Sequence, residues 1–237
     1  MTTRLTVASP VLRPAPVRSA SHERIREAFS EFVRDPRFPC LAARITARPD
    51  HEDLRVYGRL GSVAVSDALA ADLARFARQA RDANRFSAFV AVFTGRPPAS
   101  ERAFERRLWA QLQRLHERDP SAGWDPAVSA DPRDPRFSFS FAGTAFFVVG
   151  LHPRGSRLAR RFRWPALVFN PRAQFERLRR EGRFERLRDR IRARDIALQG
   201  STNPNLADFG ERSEAEQYSG RDTTGESWRC PFHRRTL

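Results

Sequence analysis

The chain has 237 residues and a net charge of +15; all 43 of its basic residues are arginine, and 40% of the chain is hydrophobic, with 19 Phe and 4 Trp. That length predicts one domain with room for a sizeable core, and 17 prolines argue against a simple helical bundle. A surface this basic attracts anions, although a complete lack of lysine reads as a compositional bias of the genome, and no run reaches the roughly 18 apolar residues of a membrane span.

Residues 1 to 20 are rich in Pro, Ser and Arg and predict a disordered extension, with one domain over 21 to 237. From Ser21, the helical spacing of Ile25, Ala28, Phe29 and Phe32 predicts a helix that "RDPRFP" ends. "CLAARITA" and "DLRVYGRLG" read as two strands around the turn "RPDHE". Ser66 is placed as the cap of a helix over 67 to 83, with Leu69, Leu73, Phe76 and Ala80 on one face. "RFSAFVAVF" is a third strand. Ser100 caps a helix to about Arg118, striped by Phe104, Leu108, Leu112 and Leu115. In "FSFSF" Phe137, Phe139 and Phe141 share a face opposite Ser138 and Ser140. "AFFVV" does not alternate and suits a central strand, with a turn at Ala142-Gly143 between the two. "ALVFN" is a further strand, and two short helices follow, broken at Gly182. The tail from "LQGSTNPN" is irregular, but Phe209, Tyr218, Trp228 and Phe232 predict that it packs. The fold class is α+β: a mostly antiparallel sheet covered on one face by helices, with a long irregular C-terminal segment.

The chain has no Walker A loop, no Gly-x-Gly-x-x-Gly after a strand, no His-Glu-x-x-His and no Gly-x-Ser-x-Gly. The start of the chain lacks the apolar core of a secretory signal, which predicts a cytoplasmic protein with Cys40 and Cys230 reduced. Of five histidines, His22 and His51 lie in polar segments, His116 flanks a core stripe and His233 sits near the terminus. His152 ends a buried strand before Pro153. There it either satisfies the turn or presents one nitrogen to a pocket. Arg157, Arg160 and Arg161 follow at i, i+3, i+4. On a helix that spacing makes either a solvated face or a convergent site for carboxylates or phosphate. Cys230, in "WRCPF", could offer a thiolate, and Cys40, at a strand start, reads as buried. Glu214 and Glu216, near Tyr218, either face a cationic substrate or neutralise neighbouring arginines.

Taken together, "FPC" at 38, "LHERD" at 115, "FSFSFAGTAFFVVGLHPRGSRLARRF", "ALVFNPRAQFERLR", "RDIALQGSTNPNL", "SEAEQYSGR" and "WRCPF" resemble the YqcI/YcgG family over about residues 25 to 233. The resemblance implies a heme-dependent monooxygenase that N-hydroxylates a guanidino group of an arginine-like molecule, as in guanitoxin and D-cycloserine biosynthesis. It implies non-covalent heme b, dioxygen as co-substrate, and a reductase or peroxide as partner. His152 is then the axial iron ligand, with Cys230 the alternative; a thiolate would favour O–O cleavage more than an imidazole. Arg157 and Arg161 would pair the heme propionates. Asn203, Glu214 and Tyr218 would line the substrate side. The family pattern is expected to carry serine where Gly155 stands. Two other readings remain: a heme protein that only senses or carries, and a basic nucleic-acid-binding protein recognised by steep salt dependence.

Overall fold

The computed structural model describes residues 20–46, 52–82, 86–119 and 123–234. The expected N-terminal disorder and His51 therefore lie outside the described residues. Five strands form one sheet in the order β1-β2-β5-β4-β3. They are β1 (Glu52–Tyr57), β2 (Ala88–Phe93), β3 (Phe139–Phe141), β4 (Thr144–Leu151) and β5 (Ala166–Pro171). Only β1 and β2 run parallel, joined across the 20-residue helix α3; the other three pairings are antiparallel. The expected α+β class with a mostly antiparallel sheet is what the chain adopts.

The helices are α1 (Ala20–Arg34), α2 (Leu41–Thr46), α3 (Val63–Asp82), α4 (Glu101–His116), α5 (Arg172–Arg180), α6 (Phe184–Gln199) and α7 (Ala215–Tyr218). They cover both faces of the sheet rather than the single face expected. The strands are why. With side chains alternating at period two, Phe89, Ala91, Phe146, Val148, Leu167 and Phe169 face the core shared with α3 and α4. Their neighbours Val90, Val92, Leu151 and Ala166 pack instead with Ile25, Phe29 and Val33 of α1. Strands this apolar on both sides demand cover on both.

Two local expectations fail for identifiable reasons. "CLAARITA" forms the helix α2, not a strand. Ala and Arg are strong helix formers, and the Sγ of Cys40 accepts from the Ala43 backbone N–H at 3.4 Å. Ser66 lies inside α3 rather than at its cap. Its hydroxyl donates one turn back to Ser62 O and accepts from Gln111. By contrast, Ser100 caps α4 through the Ala103 N–H at 3.2 Å.

The turn from β3 to β4 is where it was expected. Ala142 and Gly143 have φ of 50° and 67°, the positive pair that tight hairpins favour. Gly150 in β4 has a different reason. A Cβ there would sit 2.7 Å from Phe104 and 2.8 Å from the Tyr218 carbonyl. Only a bare backbone lets α4 and the tail come this close.

The tail packs, as its aromatics predicted. Tyr218 and Phe232 are fully buried beside Trp109. Arg221 and Trp228 both bond Glu105 of α4. The amide of Asn205 ties the segment to itself through the Glu216 and Arg221 carbonyls. None of the described helices is long and apolar enough to cross a membrane.

Candidate functional site

A cavity of about 310 Å³ lies between the α1 face of the sheet and the C-terminal half of the chain. This is at the small end of the range for ligand sites. Its floor is the sheet face that points away from the large core: Val90, Phe147, Val149, Leu151, Val168 and Asn170. The alternation that splits the two cores thus also defines this floor. Phe29 and Val33 of α1, with Phe38 and Cys40 just before α2, form one side.

The opposite side is helical. Arg172, Phe175 and Arg179 of α5 recur at helical spacing toward the cavity, as do Leu187, Arg188, Ile191, Arg192 and Asp195 of α6. No side chain of α6 is fully buried, because the face it turns inward meets the cavity instead of packed atoms. The loop from Asn203 to Phe209 completes the wall.

The wall carries six guanidiniums, those of Arg157, Arg160, Arg172, Arg179, Arg188 and Arg192, against the carboxylates of Asp195, Asp208 and Glu214. All three carboxylates are already paired. Arg157 reaches Asp195 at 2.6 Å. Asp208 bridges Arg188 at 2.6 Å and Arg192 at 3.1 Å. Arg172 bonds Glu214 in a fully enclosed pair and lies over the Phe209 ring. The Ser138 hydroxyl donates to the other Glu214 oxygen at 2.9 Å. Burial pushes the Glu214 carboxyl up, while Arg172 and Ser138 pull it back.

The residues expected from the sequence divide cleanly. Asn203 and Glu214 line the cavity. Asn203 Oδ1 accepts from the Asn205 N–H at 3.0 Å. Tyr218 does not line it. Its ring is in the large core, and its hydroxyl accepts from Phe139 N and donates to Phe146 O. The low dielectric there raises its pKa well above the ordinary value. Tyr218 is a strut holding the tail to β3 and β4.

Arg157 does line the cavity, but it is committed to Asp195, Ser201 and the Thr202 carbonyl. Arg161 does not. The expected helical convergence with Arg157 fails because only Leu158–Arg160 form a turn, of 3-10 type. Arg161 is exposed and donates to Gly155 O. A Cβ on Gly155 would meet its nearest neighbours at 3.4 Å with no positive φ, so the turn does not itself require glycine.

Neither expected iron ligand reaches this cavity. Cys230 packs against the large core, where burial pushes its thiol up to about 12. His152 follows Leu151 and so points to the other side of β4. It stacks on Phe104 of α4 at 4.3 Å, and Nδ1 accepts from the Arg154 N–H at 3.3 Å. Burial lowers its pKa from 6.5 to about 4. The ring is thus neutral in the folded chain, with its proton on Nε2. His152 supports the turn, one of the two roles the sequence allowed.

That depression has a measurable consequence. An unfolded chain binds a proton at His152 below pH 6.5, whereas the folded chain resists it until about pH 4. Its contribution to stability is therefore complete above pH 6.5 and falls as pH drops to about 4, by at most about 1.4 kcal/mol per pH unit. Urea unfolding across that range should show the slope, and His152→Gln should flatten it. An unchanged slope in the variant would reject the assignment.

The residue that sequence reasoning missed is Cys40. It lines the cavity beside Phe38, close enough to Arg160 to favour that residue's charged form. Its signal was the "FPC" block, obscured by reading the following residues as a strand. The two cysteines form no disulfide. No group of three His, Cys, Asp or Glu among the described residues could hold a metal ion.

Comparison with known proteins agrees with this layout in extent. The chain is 28% identical over 207 residues to the uncharacterized protein YcgG of Bacillus subtilis strain 168, covering 82% of this chain and 80% of that one. It is 26% identical over 211 residues to the uncharacterized protein YqcI of the same organism, covering 84% and 82%. No solved structure matches. The model of the YqcI/YcgG family matches residues 29–233, from the first cavity-lining side chain to the end of the packed tail, and the chain belongs to that family.

Proposed function

We propose that this chain is a heme-dependent N-hydroxylase of an arginine-like guanidino compound, and that it holds heme b without a covalent link through Cys40. The observation that carries the reading is the donor chemistry of the cavity. Non-heme iron oxygenases need three protein ligands converging on one ion, and the described residues bring no such trio together. A macrocycle already supplies four ligands and asks the protein for one. Of the described histidines and cysteines, Cys40 is the one in the cavity wall.

When bound, heme would supply dioxygen activation, with electrons from a reductase or oxidising equivalents from peroxide. The rest of the work belongs to the protein. The valine and phenylalanine floor offers an apolar face. Glu214 has two oxygens and about four acceptor positions. Arg172 and Ser138 use two of them, which leaves capacity to orient a guanidinium. Asn203 adds a neutral amide at the same wall.

The test uses purified full-length chain produced with ample iron and porphyrin precursor, or titrated with hemin. A Soret band is expected, followed by conversion of L-arginine or a related guanidino compound to its N-hydroxy product with reductant and oxygen, read by mass spectrometry. Colourless protein that refuses hemin overturns the reading. Heme binding with no turnover across guanidino compounds points to the carrier or sensor alternative.

A further inference from the structure

Arg160 differs from every other arginine in the cavity wall. Arg157, Arg172, Arg179, Arg188 and Arg192 each bond a carboxylate. Among the described residues Arg160 bonds none. It donates to three main-chain carbonyls instead: Gly150 at 3.1 Å, Gln217 at 3.3 Å and Tyr218 at 3.5 Å. A guanidinium has five N–H donors, so two remain.

Those three carbonyls fix the fork at the junction of β4, the 158–160 turn and α7. Cys40 and Asp195 lie near and favour its charge, but Asp195 is bound by Arg157, which itself opposes the charge on Arg160. Burial lowers the Arg160 pKa from 12.5 to about 10, which still leaves it a cation at neutral pH. A half-buried charge with no carboxylate bonded to it is costly. Even with Glu176, which pairs Arg172 and Arg179 from just outside the lining, the six guanidiniums of the wall meet four carboxylates. Such a cavity does not suit a ligand that is only a cation.

We propose that the occupant of the cavity carries a carboxylate and that Arg160 is its counter-ion. The choice of probes rests on the heme reading; the anion preference does not. Two sources share this chemistry: a heme propionate, and the substrate's own carboxylate. The first is tested by titrating the protein with hemin and with hemin dimethyl ester, which has the same ring and iron but no carboxylate. The second is tested by calorimetry, with and without bound hemin, using L-arginine and agmatine, which share the guanidinium and differ in the carboxylate.

One charge-assisted anchor is worth about 10- to 100-fold in affinity. A gap of that size in the first pair assigns Arg160 to a propionate, and in the second pair to the substrate. In either case Arg160→Gln should close the gap, and Arg160→Lys, which keeps the charge but loses the fork, should restore part of it. Should Arg160→Gln fail to fold, the lysine variant and the wild-type comparison still decide. Hemin and its ester binding equally, with arginine and agmatine also equal, overturns this proposal while leaving the heme reading intact. A wild-type gap untouched in a folded Arg160→Gln overturns the role of Arg160. Failure to bind hemin, with arginine still preferred over agmatine, overturns the heme reading and keeps this one. Failure to bind any of the four probes overturns both.

Discussion

Cys40→Ala is expected to purify folded and colourless, while His152→Ala and Cys230→Ala keep their heme per folded molecule. The three residues differ in where the fold puts them. Cys40 is half-buried at the cavity wall, immediately before a six-residue helix. Removing its thiol takes away little packed volume and one long bond to the Ala43 N–H at the start of a short helix, so the main loss should be of ligand rather than of fold. His152 is almost fully buried, and its alanine variant loses the stack on Phe104. That costs stability, so heme must be normalised to the folded fraction. Cys230 belongs to the core on the opposite side of the sheet. The visible spectrum of the ferrous carbon monoxide complex separates a thiolate from an imidazole ligand in the wild-type protein. A Cys40→Ala protein with unchanged heme content and spectrum would remove Cys40 from the mechanism.

The second large effect is expected at the Arg172–Glu214 pair. Both residues are buried, at 5% exposure each. Glu214→Leu leaves the Arg172 guanidinium without its closest counter-charge, and breaking a buried pair from one side costs about 3–5 kcal/mol. Glu176, at 2.8 Å from Arg172, and the Phe209 ring beneath it soften the loss. The low end of that range is therefore expected. The double variant Arg172→Met, Glu214→Leu should recover most of it, since an apolar pair of similar volume often matches a buried ion pair. Urea midpoints at constant m-value measure all three proteins. A double variant no more stable than Glu214→Leu would mean that the residues act separately.

The pair is also one of the contacts that hold the tail. Glu214 links the tail to Ser138, just before β3, and to Arg172 of α5.

Most of the elements were legible along the chain because their patterns are local. The α4 stripe of Phe104, Leu108, Leu112 and Leu115, its Ser100 cap and the Ala142-Gly143 turn each depend on residues within one or two turns. The family resemblance was legible for a similar reason, since it rests on the order of short blocks. "CLAARITA" was not, because a short apolar run serves a helix or a strand equally well, and neighbouring contacts decide.

The sequence by itself determined an α+β chain with a mostly antiparallel sheet, an ordered aromatic tail, an excess of arginine, and membership of its family. Only the tertiary structure decided which of those residues meet. Period-two alternation places Leu151 on the cavity side and His152 on the other, and which face of β4 holds the cavity depends on helices far away in sequence. For the same reason, Cys40 and Arg160, 120 positions apart in the chain, share one wall. A chain can show which side chains have the chemistry for a site, but the pairing of strands and the packing of helices determine which of them face the same space.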